Sequence, residues 1–194
     1  MQRKLEQNFN KGDLAQYPYR KTQVKYATIP SGVTTFTSEP LFRGILPEVL
    51  CVGLVSHAAA SGTYNKNPFK FQHYNLSKLT VTLNDQPIVY RAIECDYEKN
   101  KYLMAYNTLL KRSSGQDGNF INATDYLQGN TVYVLDLASA SPNEFHGDRI
   151  GELKIRIGFS KETTEPITLL AWAQLQAMFK VDKNGTVQVE DRKT

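Results

Sequence analysis

Few side chains in this 194-residue chain have the chemistry for catalysis or ligand binding, so their spacing comes first. His57, His73 and His146 are the only imidazoles, and they stand far apart, none with a second imidazole at ligand spacing. A cupin-type metal centre sets His-x-His, a Glu and a further His around one ion, and no such cluster occurs. Cys51 falls within an apolar strand pattern, where a thiol behaves as a small hydrophobe, and Cys95 has no cysteine partner nearby in sequence. No Gly-x-Ser-x-Gly elbow is present. Ser56 and His57 are adjacent, which leaves out the oriented third group of a triad. Glu144, His146 and Asp148 share the loop Ser141–Asp148, a set able to take a cation, but it reads foremost as a polar surface loop. Gly115, Gly118 and Gly129 lack the spacing and the Gly-Lys-Ser/Thr ending of a phosphate loop. The expectation is a protein with no catalytic residue, no metal site and no cofactor, which is not an enzyme.

Charge and composition narrow the partners. The net charge of +4 is mild, and its basic residues are scattered apart from short clusters at Arg3-Lys4, Arg20-Lys21, Lys111-Arg112 and Arg192-Lys193. Dedicated nucleic-acid binders concentrate such residues in a stripe. Specific nucleic-acid recognition is therefore not expected, although basic tails retain a weak affinity for phosphate backbones. The apolar runs are far too short for a membrane-spanning helix. Met1–Gln7 has no apolar core after its charges and does not read as a signal peptide. With only two cysteines, synthesis in a reducing compartment (cytoplasm or nucleus) is expected. Asn75, Asn122 and Asn184 head glycosylation sequons that are expected to stay unused in that setting.

The elements that must position these residues are mostly strands. Residues 1–16 are polar and read as a flexible arm or linker, and residues 17–194 as one folded domain. Val24, Tyr26 and Thr28 alternate with Gln23, Lys25 and Ala27, and Pro30-Ser31-Gly32 supplies a turn. Val33–Thr37 is a β-branched run. Glu48–Val55 is apolar almost throughout, as in a strand covered on both faces. Leu79, Val81 and Leu83 alternate with polar neighbours, and so do Leu153, Ile155, Ile157 and Phe159; these seven are the expected core. Between them the period becomes helical: Tyr102, Leu103, Tyr106, Leu109 and Leu110 predict one helix over Tyr97–Leu110, with Asp96 as N-cap. Asn122–Gly129 reads as a short capped turn ended by glycine. Thr131–Leu137 and Ile167–Lys180 are further strands, and Asp182-Lys183-Asn184-Gly185 predicts a type I′ hairpin into Val187 and Val189. The expected class is all-β: an antiparallel eight-stranded jelly-roll sandwich with one helix in a long connecting loop. Many of the aromatics, among them Phe69, Phe71, Tyr102, Tyr106 and Phe159, fall where they would anchor the core or a loop.

Certain residues repeat a known order. Phe42-x-Gly44-x-x-Pro47 and Val52-Gly53-Leu54-Val55 precede Tyr64-x-x-Asn67-Pro68-Phe69-x-Phe71-x-His73-Tyr74-Asn75. Tyr102-x-x-Ala105-Tyr106, Asn119-x-Ile121-x-x-x-Asp125-Tyr126-x-x-Gly129-x-Thr131, Val134-x-Asp136-Leu137 and Gly151-x-Leu153-x-Ile155 follow. Over about Gln23–Val189 the chain resembles the C-terminal half of the double jelly-roll major capsid proteins of Polinton/Maverick elements and their adintovirus-like relatives. The resemblance implies a structural protein of the virion capsid whose strands stand perpendicular to the shell. Its partners would be itself, as a homotrimeric capsomer, and other capsid subunits, with no small-molecule substrate. Proteins of that family carry two jelly rolls, and this chain has room for one. It is either an excised domain or a single-domain relative. A second reading stays open: a jelly-roll module that binds glycan or protein, which would need a concave patch of exposed aromatics.

Overall fold

The computed structural model describes residues 14–88, 92–113, 121–137, 150–182 and 184–190. Their apolar alternation resolves into two antiparallel sheets laid face to face. The first contains β1 (Ala15–Ile29), β4 (Val49–Ser56), β8 (Val132–Asp136) and β10 (Ile167–Val181), side by side as β1-β10-β4-β8. The second is centred on β5 (Leu76–Leu83) and β9 (Ile150–Phe159). On the far side of β9 lie β2 (Thr35–Thr37) and β3 (Phe42–Ile45), and on the far side of β5 lie β6 (Gln86–Pro87) and β7 (Ile93–Glu94).

Each of those outer pairs is one strand broken in two. Between β2 and β3 the chain steps around Pro40, which has no N–H to give. Before it, Ser38 N–H reaches the Ile155 carbonyl (2.9 Å) and the Ser38 hydroxyl accepts from Ile155 N–H (3.0 Å); after it, Leu41 N–H reaches the Leu153 carbonyl (2.9 Å) and the ladder resumes. Counting each broken pair once gives four strands in each sheet, the eight of a jelly roll. The short β11 (Val187–Glu190) is added to β10 where β4 has ended.

The core lies between the sheets. Leu50, Val52 and Leu54 of β4, Leu169, Ala171 and Ala173 of β10, and Tyr133 and Leu135 of β8 face Leu79, Val81, Leu153, Ile155, Ile157 and Phe159, all buried. The sequence reading of this core holds, with Leu83 only partly buried at its margin. Burying these side chains is the main driving force for the sandwich, at about 1.5–3 kcal/mol for each large aliphatic side chain.

Other expectations need correction. Residues 1–13 of the expected arm lie outside the described residues, but Ala15 and Gln16 already pair with Val181 and Lys180 in β1. The alternation in β1, to which the sequence assigns no face, turns Val24 and Tyr26 away from the core, with these side chains 61% and 73% exposed. Register decides this: Ala27 pairs with the buried Leu169 and Val24 with Trp172, so odd positions of β1 share the core side. The main helix is α2 (Leu103–Ser113), six residues later than expected, and α1 (His57–Ala60) and α3 (Ala123–Leu127) are short turns of helix. Asp96 does not cap α2. Its carboxylate accepts from Lys99 N–H (3.1 Å), and its backbone exchanges hydrogen bonds with Lys101, closing a separate turn before the helix. Asn122 caps α3 as expected, accepting from Asp125 N–H at 2.8 Å.

The hairpin after β10 is not type I′. Asp182 N–H reaches the Thr186 carbonyl (3.1 Å) across a three-residue loop that ends in the left-handed Gly185 (φ 80°); the Asp182 carbonyl accepts from Gly185 N–H and its carboxylate from Asn184 and Thr186 N–H. The mirror-image turn is instead at Asn84 and Asp85, both at positive φ, which join β5 directly to β6.

Candidate assembly surface

The structure scatters the residues with reactive side chains. His57 opens α1, with Nδ1 3.0 Å from the Thr168 hydroxyl. His73 lies on the loop before β5, accepts from Asn75 N–H at Nδ1 (2.9 Å) and stacks on Tyr97 at 4.0 Å. Burial lowers its pKa, in keeping with a neutral ring that has a free lone pair to accept that bond. Glu144, His146 and Asp148 lie outside the described residues, as do Gly115 and Gly118. No three His, Cys, Asp or Glu side chains come together as a metal-binding group among the described residues. Burial pushes the Cys51 thiol up to about 11, outweighing the nearby Arg112, and raises Cys95 as well. Neither sulfur is then an activated thiolate near neutral pH.

One polar cluster was not legible in the sequence. Glu165, in the turn before β10, accepts from the Ser56 hydroxyl and from the Tyr74 hydroxyl, both at 3.0 Å, and pairs with Lys66 at 3.6 Å. The four residues come from a strand end, one long loop and a turn, and no local spacing links them. They tie the loop running from Ser61 to Asn75 onto the first sheet. Ser56 donates its hydroxyl proton to a carboxylate, and its neighbour His57 is turned to Thr168, so no triad forms.

This cluster has a pH signature. Burial pushes the Glu165 carboxyl up, but the bonds from Ser56 and Tyr74 and the Lys66 charge outweigh it and hold the pKa below the ordinary value. A carboxyl depressed in the folded state contributes stability above its unfolded pKa of about 4.3 and loses it as pH falls through the folded value. Glu165→Gln is expected to lower stability at neutral pH and to flatten its decline in acid. Urea midpoints measured across the acid range check this, and parallel pH curves for the two proteins would exclude the carboxylate.

Aromatic rings fasten the helices. His73, Tyr97, Tyr102 and Tyr126 form a continuous stack, and Tyr106 tilts against Tyr126 at 5.3 Å. The Tyr97 and Tyr133 hydroxyls meet at 2.7 Å, and Tyr106 donates to the Ile121 carbonyl at 2.8 Å. Tyr102, Tyr106, Phe71 and Phe159 therefore anchor as expected. Phe69 does not: it stands exposed, like Tyr64 on the same loop, because Asn67 turns the chain there by accepting from Phe69 N–H (2.9 Å).

What the surface offers is apolar rather than reactive. Val24 and Tyr26 stand on the outer face of the first sheet beside the half-buried Leu170 and Trp172. Tyr64 and Phe69 project from the neighbouring loop. Apolar groups gathered on a surface mark contact sites more often than chemistry. The groove between Gln23–Lys25 and Pro40–Arg43 has one aromatic in its lining, Phe42, and that ring is buried. It lacks the exposed stacking platform that a sugar site uses. Among the described residues no helix is long and apolar enough to cross a membrane.

No protein-family model matches the chain. An uncharacterized protein of Caenorhabditis elegans is 28% identical over 177 residues, covering 87% of this chain and 42% of that protein. Among solved structures, a chain of the Sputnik virophage is similar with a TM-score of 0.52 and 15% identity, covering 91% of this chain and 39% of that one. The mavirus major capsid protein is similar with a TM-score of 0.51 and 10% identity, covering 93% of this chain and 42% of that one. The chain thus spans about two fifths of the length of each of these three proteins. At these identities the likeness establishes the architecture, and the strand order agrees with it: the chain is an antiparallel jelly roll of the kind found in a viral major capsid protein.

Proposed function

We propose that this chain is a structural capsid domain, one jelly roll of a double jelly-roll major capsid protein of the Polinton/Maverick and adintovirus-like kind. It acts by self-assembly into trimeric capsomers of a virion shell, and it carries no catalytic role. The observation that supports this most is the fold likeness to the mavirus major capsid protein across nearly the whole chain. The C. elegans relative and the capsid chains are more than twice as long as the segment they share with this one, which leaves room in each for a second domain of similar size.

The test is to compare this domain with a version fused to an N-terminal jelly roll, measuring mass by light scattering. If trimer contacts are shared between both jelly rolls, one domain alone buries too little area, since interfaces below about 1,200 Å² are weak or transient. The isolated domain is expected to be a monomer or a weak trimer, and the longer chain a stable trimer. A longer chain that stays monomeric, with this domain binding tightly on a glycan array, would replace the capsid reading with the binding module.

A further inference from the structure

β1 and β10 outrun the sandwich. The partner strand β4 covers β10 only from Ile167 to Gln174; beyond it, β1, β10 and β11 continue as a three-stranded ribbon. The alternation does not stop where the sandwich does. On the side continuous with the core, β10 presents Leu175, Ala177, Phe179 and Val181. The register sets Tyr19, Tyr17 and Ala15 of β1 and Val189 and Val187 of β11 beside them. The opposite side is mostly polar, with Gln16, Arg20, Gln176, Lys180 and Gln188 around the pair Pro18 and Met178. A projecting ribbon in water has no folding reason to keep one face apolar, yet this face bears one charged residue, Lys21, at its root. Tyr17 stacks on Phe179 at 5.1 Å. Even so, Tyr17 remains 43% exposed, and Val187 and Val189 are 56% and 57% exposed. Among the described residues this is a sheet face whose apolar side chains stay half-buried or exposed.

We infer that the Tyr17–Phe179–Val187–Val189 face of this ribbon is a contact site for a second copy of the chain, ribbon face on ribbon face. The inference rests on the self-assembly reading above and names a surface for it. A sheet face is completed by another sheet face about 10 Å away, and in a protein that packs against itself each copy brings one. Size sets the strength. Seven residues each of β1 and β10, with four of β11, present roughly 290 Å², so a pair would bury on the order of 600 Å². That is below the roughly 1,200 Å² of a stable complex, so the contact is weak and concentration-dependent, and it gains strength only when many copies are held together.

Sedimentation velocity of this chain from micromolar to millimolar concentration tests it, beside two variants at exposed positions where folding is not at stake. The unmodified chain is expected to shift to a dimer at the upper end. Val187→Lys combined with Val189→Lys should abolish the shift, and Tyr26→Lys, on the other face of the sheet, should leave it. A chain that stays monomeric to millimolar overturns the inference, and the longer fusion still judges the capsid reading. Association that survives the ribbon variant but is lost with Tyr26→Lys also overturns it, while leaving self-assembly standing through the outer sheet face.

Discussion

Replacing Ile155 with alanine is expected to cost about 2–5 kcal/mol of folding stability. Ile155 is fully buried in the middle of β9, across from Val81 of β5 and beneath the first sheet. Its backbone N–H is held by the Ser38 hydroxyl, and that bond survives truncation of the side chain. The substitution therefore isolates the loss of three carbon atoms and the cavity left in a packed layer. Against a total stability of about 5–15 kcal/mol, the change is large enough to move a urea midpoint far outside error. The slope of the transition should stay constant, because the same surface unfolds. Leu83→Ala should cost less, since Leu83 lies at the margin of the core and is only partly buried. Equal effects at the two positions would mean that the second sheet sits differently over the first.

Where the sequence was readable, local pattern and tertiary demand agreed. Leu79-Val81 and Leu153–Phe159 alternate because one face of each strand is buried and the other is wet, so period two identifies both strand and face. Asn122 could be read as a cap because its bond to Asp125 N–H is local. β1 shows the limit of the pattern: Val24 and Tyr26 are apolar and alternate, and only the pairing with β10 assigns them to the outside, because parity is a property of the partner, 148 residues away at Trp172. The start of α2 misled because Asp96 offers its carboxylate to the nearer turn. The Glu165 cluster had no local signal, since Ser56, Lys66 and Tyr74 meet it only after both sheets have formed. The ribbon had no local signal: it follows from the pairing, in which β4 ends at Val49 opposite Gln174 while β10 runs on to Val181 between β1 and β11.

Gly53→Val is expected to destabilise by about 1–3 kcal/mol and to loosen the loop over the outer face of the first sheet. By propensity alone the sign would be the reverse, because glycine weakens a strand interior and valine strengthens one. Space decides. A Cβ at Gly53 would lie 2.7 Å from Phe71 Cδ1 and 3.0 Å from Cε1, inside contact distance. The ring cannot yield freely, because the Phe71 backbone is held on both sides: its N–H donates to the Gly129 carbonyl (2.8 Å) and its carbonyl accepts from Thr131 N–H (3.1 Å). The next residue, Gln72, donates to Leu54 (2.9 Å), and the ring itself leans on Trp172 at 6.0 Å. Valine must therefore lift the segment off β4, and Tyr64 and Phe69, carried by the same loop, would lose their placement on the surface. Phe71→Ala should remove the collision, so the double variant is expected to fall short of the sum of the single losses by about 0.5–3 kcal/mol. Strict additivity, or a stabilised Gly53→Val protein, would show that the ring moves aside without cost.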